Sequence, residues 1–126
     1  MKISHVAVYV NDLENTREFY ETYFGAQANT KYFNSHTGLA TYFLSFGDQA
    51  RLEIMQRPDV TEHPTQLVQG YTHLAFSVGD SAAVDALTTK LAAADYQVIS
   101  GPRTTGDGYY ESVVLDPEGN QIEITI

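Results

Sequence analysis

The sequence predicts an α+β fold built from two βαβββ modules, each with a curved mixed sheet. Two repeats support this prediction. The run at residues 3–10 returns at residues 71–78, and the run at residues 51–54 returns at residues 121–124. Between these runs, the apolar residues change from a period of two to a helical period and back in both halves. Each half is therefore expected to begin and end with a strand.

In the first module, Asn11 fits a helix N-cap, with Glu14 three residues later as its capping-box partner. Gly25 fits the position that ends this helix. Gly47-Asp48 fits a hairpin turn between the last two strands. Alternating β-branched and aromatic residues predict the strands of this module over residues 3–10, 26–33, 40–46 and 50–56.

The second module repeats this order. Asp80 or Ser81 is the predicted N-cap of a helix whose buried face is formed by Val84, Leu87 and Leu91. The remaining predictions are a helix end near residue 94, strands over residues 71–78, 96–99, 109–115 and 121–126, a Gly-rich loop over 101–108 and a turn over 116–120.

The stretch between the two modules carries Pro58, Pro64 and several polar side chains. Proline lacks the N–H that a strand ladder needs and restricts the residue before it, so this stretch is predicted to be a linker. We therefore predict a single domain over residues 1–126, with modules at 1–57 and 71–126 and the linker at 58–70.

The composition is typical of a globular domain with little basic surface. The chain has 126 residues, of which 43% are hydrophobic, and this is enough to bury a core. The net charge is −9 and Lys and Arg do not cluster, so neither nucleic acid nor a membrane is a predicted partner. The absence of cysteine excludes disulfides and zinc–sulfur sites. Because no stretch reads as a signal peptide or a membrane span, we expect a cytoplasmic protein.

Four side chains recur at matching positions of the two repeats. His5 and His73 open the modules, and Glu53 and Glu123 close them. The apolar residues of these strands take one face, so the four side chains take the face that points away from the helix. If that face is concave, the four converge on a metal-binding cleft. Two imidazoles and two carboxylates suit one divalent ion of nickel, cobalt, zinc, manganese or iron.

A simpler interpretation stays open for each of these residues. A lone histidine in a strand is usually hydrogen-bonded, and a lone glutamate between aliphatic residues usually faces solvent. The recurrence of the same pair in both halves favours a shared site, although inheritance from a duplicated ancestor also explains it. His36 and His63 have no matching partners and are predicted to be surface residues.

These features resemble the vicinal oxygen chelate superfamily, the group of glyoxalases, bleomycin-resistance proteins and dioxygenases. The resemblance covers essentially the whole chain. Within the superfamily, the His–Glu–His–Glu set is most similar to that of glyoxalase I (lactoylglutathione lyase) enzymes. The runs that carry the resemblance are residues 5–8, 73–76 and 116–123.

The resemblance implies a metal-dependent lyase or isomerase that transfers a proton beside a carbonyl group of a small oxygenated metabolite. It implies Glu123 as the catalytic base, with Glu53 as the second choice, and a homodimer as the assembly. The alternatives are a non-catalytic small-molecule binding or resistance protein, an epimerase or a dioxygenase. The fourth protein ligand argues against the dioxygenase, because oxygen and a chelating substrate together need three open positions.

Three further residues are predicted to contact the substrate. Tyr9 stands where glyoxalase I enzymes that use glutathione carry an arginine, which argues against a glutathione adduct as the substrate. Arg103 suits an anionic group of the substrate, although a solvated loop arginine is an equally good interpretation. Tyr109 suits the wall of a pocket, although aromatic residues in strands are more often part of the core.

Overall fold

A computed structural model describes the whole chain except residues 48 and 67. The chain divides into two compact units, Met1–Pro64 and Thr65–Ile126, and the division falls inside the predicted linker. The predicted Gly47-Asp48 turn includes Asp48, which lies outside the described residues.

The first unit is a mixed five-stranded sheet with one helix. Its elements are β1 (His5–Tyr9), α1 (Leu13–Phe24), β2 (Gln27–Ala28), β3 (Tyr32–Phe33), β4 (Ala40–Ser45) and β5 (Arg51–Gln56). The strand order is β1-β5-β4-β2, with β3 also paired to β4. β1 runs parallel to β5, whereas the other pairs are antiparallel. The strand predicted over residues 26–33 is thus two short strands.

The second unit is a mixed four-stranded sheet with one helix. Its elements are β6 (His73–Ser77), α2 (Ser81–Ala93), β7 (Val98–Thr104), β8 (Tyr110–Leu115) and β9 (Gln121–Thr125). The strand order is β6-β9-β8-β7, with β6 parallel to β9 and the other pairs antiparallel. The predicted α+β fold with two mixed sheets is confirmed.

Burial in each sheet follows the alternation of the strand sequence. Leu52 and Ile54 of β5 are buried, as are Ile122 and Ile124 of β9. The helices cover this face, and α1 is held by an aromatic cluster in which Phe19 packs edge-on against the following tyrosine. Each such side chain contributes about 1.5–3 kcal/mol when fully buried. The opposite face of each sheet is therefore the more exposed one.

The N-cap of α1 was predicted one residue too early. Asp12, not Asn11, has the extended backbone of an N-cap, and its Oδ1 accepts from the Asn15 amide at 3.0 Å. The Glu14 carboxylate does not complete a capping box; it accepts from Lys31 Nζ at 2.9 Å instead. In α2 the N-cap is Asp80 rather than Ser81, and its Oδ1 accepts from the Ala83 amide at 2.8 Å.

The Gly-rich loop predicted over residues 101–108 is shorter than expected. β7 extends through Thr104, so Gly101 and Pro102 lie within a strand. Strand β7 is at the edge of its sheet, where a proline costs no ladder bond, and two register shifts accommodate the irregular pairing with β8.

The buried face of α2 also differs from the prediction. Val84 and Leu91 are fully buried, but Leu87 is only half-buried and Thr88 takes its place. The Thr88 hydroxyl lies 2.7 Å from the Val84 carbonyl oxygen and 2.6 Å from the buried Ser112 hydroxyl on β8. Paired hydroxyls therefore replace an apolar contact between helix and sheet.

No helix among the described residues has the length and apolarity needed to cross a bilayer.

Candidate metal centre

The first half-site combines His5 of β1 with Glu53 of β5. In the parallel register Ala7 lies beside Glu53, so the histidine is the diagonal neighbour of the glutamate on the same face. The imidazole Nε2 and the carboxylate Oε2 are 3.8 Å apart. The two predicted ligands of this module therefore do come together.

The second half-site repeats this arrangement with His73 of β6 and Glu123 of β9. Here Ala75 lies beside Glu123, and the Nε2–Oε2 distance is 3.5 Å. In both modules the histidine side chain is 41% exposed and the glutamate side chain 19% exposed. The histidines lie on edge strands and the glutamates on inner strands, which explains the difference in exposure.

A hydroxyl group lies beside the second nitrogen of each imidazole. Ser4 Oγ is 3.3 Å from Nδ1 of His5, and Thr72 Oγ1 is 3.1 Å from Nδ1 of His73. A histidine that binds a metal through Nε2 carries its proton on Nδ1, where a hydroxyl oxygen accepts it. Ser4 and Thr72 were not predicted from the sequence as site residues, although each directly precedes the histidine of its repeat.

The donor spacing in each pair is close to that of two ligands of one ion. Two ligand atoms at about 2.1 Å from an ion and roughly 90–110° apart lie about 3.0–3.4 Å from each other. Each Nε2–Oε2 pair thus needs to close by less than an ångström, and imidazole nitrogen with carboxylate oxygen is a suitable donor set for a divalent ion. Among the described residues, no group of three or more potential ligands is gathered at one point. The four-ligand site stays a prediction.

The surroundings of the first half-site are aromatic and cationic. Phe43 of β4 lies beside Glu53 in the register, and its ring meets the His5 ring edge-on at 5.3 Å. The guanidinium of Arg51 lies over the same ring at 4.5 Å from its centre. A cation–π contact of this kind holds the guanidinium in a fixed position.

The surroundings of the second half-site are acidic. Glu111 of β8 lies on the same face as Glu123 and 3.5 Å from the guanidinium of Arg103, with only 12% of its side chain exposed. Burial raises the pKa of the Glu111 carboxyl, and the charge of Glu123 raises it further against the opposing effect of Arg103. Glu111 was not predicted from the sequence as a site residue, although the alternation of side chains along β8 places it on the same face of the sheet as Glu123.

The predicted substrate contacts lie on exposed surface. Tyr9 of β1 is 41% exposed and shares the face of His5. Arg103 lies on β7 rather than in a loop, and its ion pair with Glu111 places it near the second half-site. Tyr109 is 55% exposed and not part of the core. These positions are compatible with substrate contact, which stays a prediction for all three.

The motif that closes the second module positions Glu123 by fixing the β8–β9 turn. The buried carboxylate of Asp116 accepts from the Glu118 amide at 2.9 Å and the Asn120 amide at 2.8 Å. Gly119 has a φ of +83°, a conformation that glycine adopts without strain. This turn sets the register that places Glu123 of β9 beside Val113 of β8.

Comparison with known proteins identifies the family of the chain. A family model of the Glyoxalase/Bleomycin resistance protein/Dioxygenase superfamily matches residues 2–124. This chain belongs to that superfamily. Membership confirms the resemblance inferred from the repeated His and Glu runs.

Similar proteins match the chain over nearly its full length. The uncharacterized protein YqjT of Bacillus subtilis (strain 168) is 29% identical over 125 residues, which cover 95% of this chain and 94% of that protein. A glyoxalase family protein from Enterococcus faecalis has a TM-score of 0.82 at 24% identity, with 99% of this chain and 97% of that chain covered. Trypanothione-dependent glyoxalase I of Leishmania major has a TM-score of 0.79 at 23% identity, and the match covers 99% of this chain and 86% of that chain. At these identities the solved structures show a shared fold only.

Proposed function

We propose that the protein is a metal-dependent lyase or isomerase of the glyoxalase type. It would transfer a proton beside a carbonyl group on a small oxygenated metabolite. The observation that carries this proposal is the duplicated pair of imidazole and carboxylate, with matching exposure and similar spacing in both modules. Superfamily membership and the glyoxalase I fold relationship support it.

The four proposed ligands are His5, Glu53, His73 and Glu123. Together they would hold one divalent ion of nickel, cobalt, zinc, manganese or iron, within one chain or across two chains of a homodimer. When bound, such an ion supplies Lewis-acid polarisation of a substrate carbonyl. The hydroxyls beside each Nδ1 would accept the Nδ1 proton in the tautomer that leaves Nε2 free for the ion.

Proton transfer is assigned to the glutamates. Glu123 is the proposed base, and Glu53 is the second choice, on the resemblance to glyoxalase I. Substitution by glutamine is the cleaner probe of this role, since it keeps the shape and one oxygen of the side chain while removing its basicity. Arg103, Tyr9 and Tyr109 are the proposed substrate contacts, with the guanidinium available for an anionic group.

The experiment that tests this proposal combines metal analysis with proton exchange. The untagged protein, purified without added metal, is analysed for bound metal and incubated in D₂O with a panel of 2-hydroxy carbonyl compounds. We expect one divalent ion per pair of modules, and deuterium incorporation at the carbon beside the carbonyl that is lost in Glu123→Gln.

The alternative function would give a different result. A protein that binds no metal under any loading condition, yet retains small-molecule binding, would instead be a sequestering or resistance protein. Metal binding without exchange on any compound of the panel would contradict the assigned reaction.

A further inference from the structure

A polar cavity opens beside the first half-site, where β1 and β5 begin. Its volume is about 440 Å³. The Arg51 amide donates to the Ser4 carbonyl oxygen at 3.2 Å, so the two strands close one side of the cavity. The residues that line it are Lys2, Ile3, Ser4, Gln49, Ala50 and Arg51.

Two of the seven basic side chains of the protein lie in this cavity. Arg17, Lys31, Arg57 and Arg103 each pair with a carboxylate elsewhere. Among the described residues, no carboxylate lies within ion-pair distance of Lys2 or Arg51. The chain carries 16 acidic residues against 7 basic ones, so two cations in one cavity that have no carboxylate partner among the described residues are unexpected.

The Arg51 side chain is already held in place. The central carbon of its guanidinium, Cζ, lies over the Phe43 ring at 4.5 Å from the ring centre, and that ring contacts His5. A cation–π contact uses none of the hydrogen-bonding capacity of N–H groups that point away from the ring, so these stay available to donate. An arginine fixed in this way binds an oxyanion at a lower entropic cost than a mobile one.

The Ser4 hydroxyl connects the cavity to the half-site. It lies 3.3 Å from Nδ1 of His5, and Ser4 is one of the residues that line the cavity. An anionic group bound between Lys2 and Arg51 would therefore lie on the Nδ1 side of the imidazole, with Nε2 and Glu53 on the other side. The remainder of such a ligand can extend along the exposed face of the sheet toward Glu53.

We propose that this cavity is an anion subsite, and that the substrate carries a carboxylate or phosphate group that binds to Lys2 and Arg51. The assignment of the ligand as substrate rests on the proposed function, whereas anion binding in the cavity does not. Bidentate recognition by arginine, with a lysine as second donor, suits either group.

The test is an NMR titration of the metal-free protein, so that no ion contributes to binding. Amide shifts are followed with three probes: inorganic phosphate, acetate and the neutral analogue acetamide. We expect saturable shifts at the amides of Lys2, Ser4, Gln49 and Arg51 with the two anions and none with acetamide. Tighter binding of phosphate or of acetate identifies which oxyanion the subsite prefers.

Charge-neutralising variants and matched controls complete the test. Arg51→Gln and Lys2→Gln should each weaken anion binding roughly tenfold or more, as expected for a charge-assisted hydrogen bond. Arg17→Gln and Lys31→Gln remove the same charge from an ion-paired cluster outside the cavity and should leave the affinity within about twofold.

Equal weakening in the cavity variants and the controls would overturn the subsite, as would shifts that map away from the cavity. Because the protein is metal-free, saturable binding at the cavity together with failed metal loading would refute the proposed function and leave the subsite intact. Normal metal loading without anion binding at the cavity would refute the subsite and leave the proposed function intact.

Discussion

The two modules differ in the surroundings of their half-sites, although the half-sites themselves are nearly the same. The Nε2–Oε2 distances are 3.8 and 3.5 Å, and the exposed fractions of histidine and glutamate are identical. At the position beside the glutamate, however, the first module has Phe43 and the second has Val113. At the position beside the histidine, Arg51 is replaced by Gln121.

This comparison separates what was kept after duplication from what was not. The paired His and Glu and the hydroxyl on each Nδ1 are present twice, which is expected if both pairs serve the same ion. The charge around them is asymmetric, with the cation Arg51 on an aromatic ring in one module and the ion pair of Glu111 with Arg103 in the other. Such asymmetry is expected of a site that orients an asymmetric ligand.

The comparison predicts that the two histidines contribute equally to metal binding. His5→Ala and His73→Ala should each lower the affinity for a divalent ion by at least about 100-fold, more than loss of an outer-shell contact usually costs. His36→Ala is the matched control, because His36 is an exposed histidine outside both half-sites, and it should have no effect. Titration with cobalt, followed by absorbance, measures all three. Loss of binding in only one of the first two would show that the half-sites serve separate purposes.

A mixing experiment determines whether the modules act in pairs across a homodimer. A chain with both ligands of the first module removed is mixed, after dissociation, with a chain that lacks both ligands of the second. In a two-fold dimer with shared sites, half of the dimers would be mixed and each would keep one intact site, so about a quarter of the wild-type metal content should return. If each site forms within one chain, no metal returns.

The stability of the second module should depend on its buried hydroxyl pair. Thr88→Val leaves the fully buried Ser112 hydroxyl without its partner and should lower the free energy of unfolding by about 1–3 kcal/mol. Ser112→Ala should cost less, because the Thr88 hydroxyl keeps the Val84 carbonyl oxygen. Urea unfolding of both variants measures this order, and the reverse order would contradict the assigned hydrogen bonds.

The smallest expected effects concern two carboxyls with opposite pKa shifts. The pKa of Glu111 is raised above its ordinary value, chiefly by burial. Ionisation of this carboxyl therefore opposes folding, and the loss of stability begins as pH rises through the ordinary pKa. In metal-free protein, Glu111→Gln should therefore gain stability relative to wild type as pH rises through and above the ordinary pKa of the carboxyl. Thermal unfolding across this range measures the change, and a constant difference would contradict the pKa shift.

Glu14 provides the opposite case. A hydrogen bond from Lys31 lowers the pKa of the Glu14 carboxyl. The ionised carboxylate therefore stabilises the fold at pH values above its ordinary pKa, and this stabilisation is lost as pH falls through the lowered pKa. Glu14 is about half exposed, so Glu14→Gln should cost at most about 0.5 kcal/mol at neutral pH. This cost should disappear in acid.

The repeated strands made the fold and the two half-sites predictable from the sequence. A period of two fixes which side chains share a face, so the placement of each His–Glu pair away from the helix followed from Leu52, Ile54 and their equivalents. Helix boundaries were less accurate, since Asn11 and Asp12 are both good caps and only the backbone of Asp12 decides between them.

The surroundings of the half-sites were not predictable because they depend on cross-strand register. Glu111 meets Glu123 only because the turn at Asp116 pairs β8 and β9 in a particular register. Arg51 lies on Phe43 only because β4 and β5 pair as they do. Turn geometry and edge-strand irregularities, such as those of β7, set this register, and no periodic pattern records them.

The most direct test of the four-ligand site is anomalous diffraction from crystals of the cobalt-loaded protein. We predict one anomalous peak per chain, bonded to Nε2 of two histidines and to carboxylate oxygens of two glutamates, one pair from a first module and one from a second. Two separate peaks, each on a single His–Glu pair, or a peak bonded to other side chains, would contradict the proposal that both modules serve one ion.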